Sequence, residues 1–258
     1  MTTSTMRVNF KRLGLIAFSV FFWLFVWWIL SVTTSLSFIL PSPVDTLSEF
    51  VELFGTAIFY KSVSYSLGRI LIGFLLGTFI GLILGCLSYI SQAARYLISP
   101  IMSAVKSTPV ASIILILWFF VGSAKLPSLI TVLMVSPVVW DSTYSGLGAT
   151  DKELLEMGSV FNFNRQKKLR YLYLPSVFKF VIPAIVTSTG LAWKSGIAAE
   201  IISYTKNSIG KEIKDAKEIF EGAHMLAWTL TVVVFSLIIE YGVKLLLRRL
   251  NNDESKDN

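Results

Sequence analysis

Charge is scarce in this chain. Asp, Glu, Lys and Arg make up 15% of its 258 residues, where a soluble domain carries roughly 25%. There is one cysteine, Cys86, so no intrachain disulfide can form, and its apolar surroundings suggest a residue that fills space in a helix. One histidine, His224, leaves no cysteine/histidine cluster of the kind that holds zinc. A serine or cysteine nucleophile would have His224 as its sole candidate base of that type. No Gly-x-x-x-x-Gly-Lys-Ser/Thr run occurs to cradle nucleotide phosphates. No metal or cofactor is therefore expected in this chain, and catalysis is not its expected work. Segments of alternating polarity, the mark of membrane-spanning strands, are also missing.

What is abundant is apolar sequence. Hydrophobic residues reach 54% and the mean hydropathy is +0.68. They gather into runs of about twenty, long enough to cross a hydrocarbon core of roughly 30 Å as helices. Six spans are expected, over Leu13–Thr33, Leu67–Ile90, Pro100–Val121, Ser128–Leu147, Val177–Ser203 and Met225–Leu247. The fold class is thus all-α, a polytopic membrane protein. The net charge of +7 does not call for a nucleic-acid partner, because the basic residues flank spans. Arg7, Lys11 and Arg12, then Arg95, then Arg165, Lys167, Lys168 and Arg170, and finally Lys244, Arg248 and Arg249 all fall on one side if the spans alternate. The positive-inside rule makes that side, and both termini, cytoplasmic. The N-terminal stretch reads as a first transmembrane helix rather than a cleaved signal, since no small-residue cleavage site follows it.

Two segments on the opposite side have patterns of their own. Ser42-Pro-Val-Asp45 is close to a capping box, and Leu47, Phe50, Val51 and Phe54 make the apolar stripe of an interfacial helix. Over Ser208–Gly222, Ile209, Ile213, Ala216 and Phe220 share one face, and Lys211/Asp215, Lys214/Glu218 and Lys217/Glu221 pair four apart on the other. Gly222 is the expected C-cap. Two readings stand: a solvated, self-paired surface helix, or a docking surface with Lys211, Lys214 and Lys217 at its centre.

Within the spans, Gly73, Gly77, Gly81 and Gly85 recur every four residues. Such a ridge suits close helix packing, with a mobile helix interface as the second reading. Lys194 and Glu200 lie in the fifth apolar run, where charge costs several kcal/mol unless solvated or paired. Six residues apart, they point about 240° from one another. Either they make structural contacts to neighbouring helices, or they line a translocation path in which Lys194 favours anions. Arg69 and Lys106, near span ends, are expected to snorkel to the interface. His224 reads as an interfacial side chain, with pH sensing or substrate contact as the alternative.

The most informative stretch is Glu153–Pro175, a polar, basic interruption between two spans. Leu154, Met157 and Phe161 fall at helical spacing, and Arg165, Lys167, Lys168 and Arg170 follow. It reads as two short helices on the cytoplasmic membrane surface, with something to offer a partner.

That stretch resembles the cytoplasmic signature of permease subunits of bacterial ABC importers, Glu-Ala-Ala-x-x-x-Gly-x9-Ile-x-Leu-Pro. Set on Leu174-Pro175, the glutamate falls on Glu156, the alanines on Met157 and Gly158, the glycine on Asn162 and the isoleucine on Leu172. The acid, the spacing and the Leu-Pro are kept; both alanines and the glycine are not. Asn162 still tolerates the left-handed backbone that a turn between two helices needs. ILPSPVDTL, SLGRILIGFLLGTFIGLILG, ISPIMSAVKSTPVASIILILWFFVG, GLAWKSGIAAEII and NSIGKEIKDAKEIFEGAHMLAW are similar to the nitrate/taurine/sulfonate branch of these permeases. The resemblance covers nearly the whole chain.

It implies one transmembrane permease domain over 1–258 of type I importer form, with a first helix at 13–33, core spans over 67–247 and a coupling loop at 151–175. It implies a bacterial plasma (inner) membrane location, a second permease chain making a homodimer, two cytoplasmic ATPase subunits that bind ATP and magnesium, and an external solute-binding protein. The implied ATPase contacts are Glu153, Leu154, Glu156, Met157, Gly158, Phe161, Asn162, Leu174 and Pro175. The implied cargo is a small organic solute: nitrate-, sulfonate- or taurine-like, or a vitamin precursor. A secondary transporter or channel working without an ATPase is the alternative reading.

Overall fold

The structure is a computed structural model that describes residues 3–34 and 40–254, with side chains described over 14–34 and 40–245. The side chains of Arg7, Lys11, Arg12, Arg248 and Arg249, and Ile39 of the ILPSPVDTL stretch, lie outside the described residues. Most of those described are helical, with no strand among them. The helices run α1 (Thr3–Thr33), α2 (Pro43–Leu53), α3 (Ala57–Ile90), α4 (Gln92–Ser107), α5 (Val110–Val121) and α6 (Leu126–Gly148). After these come α7 (Lys152–Val160), α8 (Arg165–Lys168), a π-helical turn (Leu169–Tyr173), α9 (Leu174–Ser203), α10 (Ile209–Glu218) and α11 (Gly222–Glu254). The chain packs as two units, one from the described residues of Met1–Tyr60 with Glu212–Thr231, the other from Lys61–Lys211 with those of Val232–Asn258.

In the smaller unit, α1 is apolar and exposed along most of its described length. Its last turns are fixed to the chain that follows: Ser31 Oγ donates to the Leu40 carbonyl at 2.9 Å and Trp27 Nε1 to that of Pro41 at 3.2 Å. The capping box at the start of α2 is complete, with Ser42 Oγ accepting from the Asp45 N–H at 3.1 Å and Asp45 Oδ2 from the Ser42 N–H at 3.3 Å. Leu53 is buried while Leu47, Val51 and Phe54 are exposed, as on a helix that lies in a membrane surface. His224, at the start of α11, reaches Glu49 Oε1 with Nδ1 at 2.7 Å and accepts the Trp228 indole N–H on Nε2 at 3.0 Å. An indole nitrogen only donates, so the ring proton sits on Nδ1 and points at Glu49. His224 thus bridges α2 and α11.

The larger unit is built on α3, α6 and α9. A Cβ on Gly73 would stand 2.5 Å from the Ser128 carbonyl oxygen, and one on Gly85 would stand 2.5 Å from Thr143 Cβ. Gly77 and Gly81 meet Val132, Val135, Ser136 and Val139 between these points. All four glycines of α3 lie against α6, and at Gly73, Gly81 and Gly85 a Cβ would stand closer than 3.0 Å to its neighbours. The residue numbers rise together, so α3 and α6 are parallel. Gly146 meets Val177 while Gly196 meets Thr131, so α9 runs antiparallel to α6.

That parity corrects the third expected span. Pro100–Val121 is not one straight helix: α4 and α5 are separate and bent by 109°. Proline forces the residue before it out of helical geometry, and Thr108, before Pro109, is extended at ψ 133°. Pro100, placed at the start of a span, lies inside α4. α5 has 12 residues and a rise of about 18 Å, too short to cross alone. Because α3 and α6 are parallel, α4 and α5 together return the chain to the side where α3 began. They count as one crossing, and with the five unbroken apolar helices they make six. α5 is held by Ile114, which packs with Leu126, Ile130 and Met134 of α6 and Ala199 of α9.

Candidate functional site: the coupling segment and the outer knot

Asp151 starts α7, its Oδ1 accepting the Glu153 N–H at 2.9 Å. α7 stops because Asn162 takes the left-handed conformation at φ 53°. The Phe163 N–H then bonds to the Gly158 carbonyl at 2.8 Å and the Asn162 N–H to that of Ser159 at 3.1 Å, the paired bonds of a Schellman stop. Asn164 caps the next helix, accepting the Lys167 N–H at 2.8 Å. Gly158 is buried, with a would-be Cβ 3.0 Å from Leu172 Cδ1 and 3.5 Å from the Phe163 ring. Lys168 Nζ donates to Ser159 Oγ at 3.0 Å. These contacts fix α7 to the helix that follows.

That second helix is not the separate surface helix read from the sequence. α8 runs through the π turn into α9, giving one helical stretch from Arg165 to Ser203. Pro175 explains the π turn: it has no N–H for the Tyr171 carbonyl, and Leu174 donates one residue further back, to Leu169. Tyr173 in this turn stacks edge-on with Tyr89 of α3 at 6.2 Å. Tyr89 meets Tyr144 of α6 at 6.4 Å, and Arg95 of α4 lies 4.4 Å from the Tyr144 ring centre. This tyrosine cluster went unread in the sequence, where the sole signal was tyrosine near span ends. Leu174 and Pro175 are exposed, as are Glu153, Leu154, Glu156, Met157, Val160 and Phe161 of the α7 segment. α7 therefore shows an open, largely apolar face with acids beside it, while Gly158 points inward to Leu172.

At the other end of α9 is a buried polar knot. Glu200 is 0% exposed. Its Oε2 accepts from Ser66 Oγ of α3 at 2.7 Å and from the Gly210 N–H at 3.3 Å, and Ser66 Oγ accepts the Ile209 N–H at 3.0 Å. Arg69 Nη1 stands 3.5 Å from Glu200 Oε1. Arg69 also donates to the Asn207 carbonyl at 3.1 Å and that of Lys206 at 2.9 Å. Arg69 thus does not snorkel to a lipid surface, because carbonyls at the end of the 204–207 loop offer better partners. Lys106 Nζ donates to Asp141 Oδ2 of α6 at 2.9 Å, in an exposed ion pair.

Lys194 is exposed on α9, on the same face as Thr187, Pro183 and Phe180, and within electrostatic reach of Glu240 of α11. Lys194 and Glu200 are not brought together. Of the two, Lys194 alone presents its side chain outside this chain. An apolar cleft of about 310 Å³ between α3, α9 and α11, lined by Leu67, Phe74, Trp193 and Val243 among others, lies in the same unit.

Ser208 caps α10, accepting the Lys211 N–H at 3.0 Å. Gly222 does not end this helix. Phe220 takes the left-handed position at φ 60°, with Glu221 N–H on the Ala216 carbonyl at 2.9 Å and Phe220 N–H on that of Lys217 at 3.2 Å, and Gly222 begins α11. Phe220 is therefore 67% exposed rather than part of the inward face, while Ile209 and Ala216 are buried. Lys211 and Lys214 are half-buried and Lys217 is exposed.

Residues 77–252 match the family model of the binding-protein-dependent transport system inner membrane component. The chain is similar to a putative aliphatic sulfonates transport permease of Bacillus subtilis, 26% identical over 82% of this chain and 77% of that one. It is also similar to the taurine transport system permease of Escherichia coli, 23% identical over 87% and 84%. Its fold is similar to that of a chain of the MetNI methionine ABC transporter, solved in inward-facing conformations, with a TM-score of 0.63 at 14% identity over 74% of this chain and 95% of that one. Matched over residues 77–252, the chain belongs to the binding-protein-dependent transport system inner membrane components: it is a permease subunit of an ABC importer.

Proposed function

We propose that this chain imports a small, anionic organic solute across a bacterial inner membrane as one of two identical permease chains, driven by a separate pair of cytoplasmic ATPase subunits. The observation that carries this reading is α7. Its exposed Leu154, Met157, Val160 and Phe161 form a face that water disfavours, held rigidly to a spanning helix by Gly158, Leu172, Ser159 and Lys168. A helix so fixed transmits force where a loose loop would not. ATP and magnesium would be held by the partner ATPase, and both termini would be cytoplasmic. An external solute-binding protein would dock on the other side at α10 through Lys211, Lys214 and Lys217. The anionic character of the cargo is supported by Lys194, a cation on the open face of α9 at membrane depth, where charge is tolerated facing water or a partner. The sulfonate and taurine permeases among its relatives agree with that class.

The test is recovery of the chain, tagged and extracted from its own membranes. A P-loop ATPase should come with it, and ATP should drive uptake in vesicles loaded with the binding protein. A chain that moves solute with no ATPase attached would restore the secondary-transporter reading.

A further inference from the structure

Arg165–Ser203 is one helical stretch of 39 residues, about 58 Å long at 1.5 Å per residue. At its first end, Leu172 and Lys168 hold α7. At its last end, Glu200 is enclosed by the knot that holds segment 204–211. We propose that Glu200, Ser66 and Arg69 are the joint by which the external partner moves α9, so that Arg165–Ser203 acts as a single lever between the outer docking segment and the ATPase-facing helix. This rests on the importer reading above.

The geometry of the joint supports the role. Every partner of the Glu200 side chain lies outside α9. Ser66 and Arg69 belong to α3, and Gly210 belongs to the first turn of α10. Ser66 joins the same two, donating to Glu200 and accepting from Ile209. Arg69 grips the carbonyls of Lys206 and Asn207, while its own carbonyl accepts Ser128 Oγ of α6 at 2.8 Å. A Cβ on Gly210 would lie 2.5 Å from Glu200 Cβ and 2.6 Å from the Ile201 nitrogen, so α10 begins in direct backbone contact with α9. A buried carboxylate cannot be left unpartnered without large cost. The outer segment therefore cannot shift without carrying Glu200, and with it α9. One acceptor is still open: Glu200 Oε1 is buried and makes no hydrogen bond, with Arg69 3.5 Å away. Glu200 is thus a positioning residue rather than a wall of the path.

The experiment uses the whole importer in phospholipid vesicles: this chain, its ATPase and its binding protein as purified. Glu200→Gln keeps the shape and removes the charge. Its basal ATPase rate and the binding-protein concentration giving half-maximal stimulation should stay unchanged. The maximal stimulation should fall by about five-fold or more, the low end of ordinary coupling between sites. Ser66→Ala should act in the same direction, and Ser66→Thr, which keeps the hydroxyl, should recover most of the loss. A preserved plateau in both Glu200→Gln and Ser66→Ala overturns the lever. A joint fall of basal and stimulated rates also overturns it, since the knot would then only hold the fold. If the wild-type chain recruits no ATPase, the importer reading fails and the lever falls with it.

Discussion

Gly158 of α7 faces Leu172 of the π turn at the limit of van der Waals contact, with room for a hydrogen but 3.0 Å from a would-be Cβ to Leu172 Cδ1. The small residue thus serves packing inside the loop. Gly158→Ala asks a flexible leucine tip to move by a few tenths of an ångström, against a helix-propensity gain of about 1 kcal/mol, and should be near neutral. Gly158→Trp cannot fit and should free α7 from the lever. Transport should stop while membrane insertion persists. Limited proteolysis at 151–164 is the measurement, and a loop as resistant as the wild type would reject this account.

The opposite face of α7 is the proposed partner contact. Met157 and Phe161 are 42% and 69% exposed. Met157→Ala with Phe161→Ala should leave α7 in place and weaken ATPase binding by about 1–3 kcal/mol, the usual loss for apolar anchors. Glu156→Lys, exposed on the same helix, should uncouple uptake from ATP. Co-purification of the ATPase at rising detergent concentration reads the first effect and ATP-dependent uptake the second. Full uptake in both variants would mean that the partner docks elsewhere.

Much of this was legible in the sequence because the physics was local. Apolar run length gave the crossings, Ser42 and Asp45 gave a helix start, and the Leu174-Pro175 spacing located α7. What was not legible depends on who meets whom in space. Pro109 was visible, yet a bend of 109° follows only once α5 has α6 and α9 to lie on. Phe220 adopts a conformation expected of Gly222, because the helix ends where Ala216 and Lys217 find their last partners. Arg69 looked like a lipid-facing arginine since its real acceptors, Lys206, Asn207 and Glu200, lie more than a hundred residues away. Glu200 and Lys194 share a run of sequence but not a surroundings.

The glycine ridge should behave as a set of closed contacts. At Gly81 a Cβ would sit 2.7 Å from Val139 Cβ and 2.8 Å from the Ser136 carbonyl oxygen. Neither is the far end of a flexible chain. Gly81→Leu must push α3 from α6, and overpacking of this kind costs about 1–3 kcal/mol or more. Gly68 lies on the same helix with nothing within 4 Å of a would-be Cβ, so Gly68→Ala should be neutral or mildly stabilising. Thermal unfolding in detergent compares the two directly. Equal midpoints would show that the α3–α6 contact is looser than its geometry.

Lys194 separates a water-lined path from a lipid or subunit contact. Its face of α9 also exposes Thr187, Pro183 and Phe180, and an amine at membrane depth facing hydrocarbon would cost several kcal/mol. In a Cys86→Ala background, which removes the single native thiol, Lys194→Cys and Thr187→Cys should react with membrane-impermeant thiosulfonates in the assembled importer. Neighbouring positive charge attracts an anionic reagent and repels a cationic one. Adding back the lysine should therefore matter: Thr187→Cys with Lys194 present should prefer the anionic reagent. With Lys194→Gln that preference should shrink by several-fold, since one unit charge nearby is worth about 1 kcal/mol at an effective dielectric between water and protein. No reaction at either position would place this face against lipid or the second chain, and Lys194 would lose its role in choosing anions.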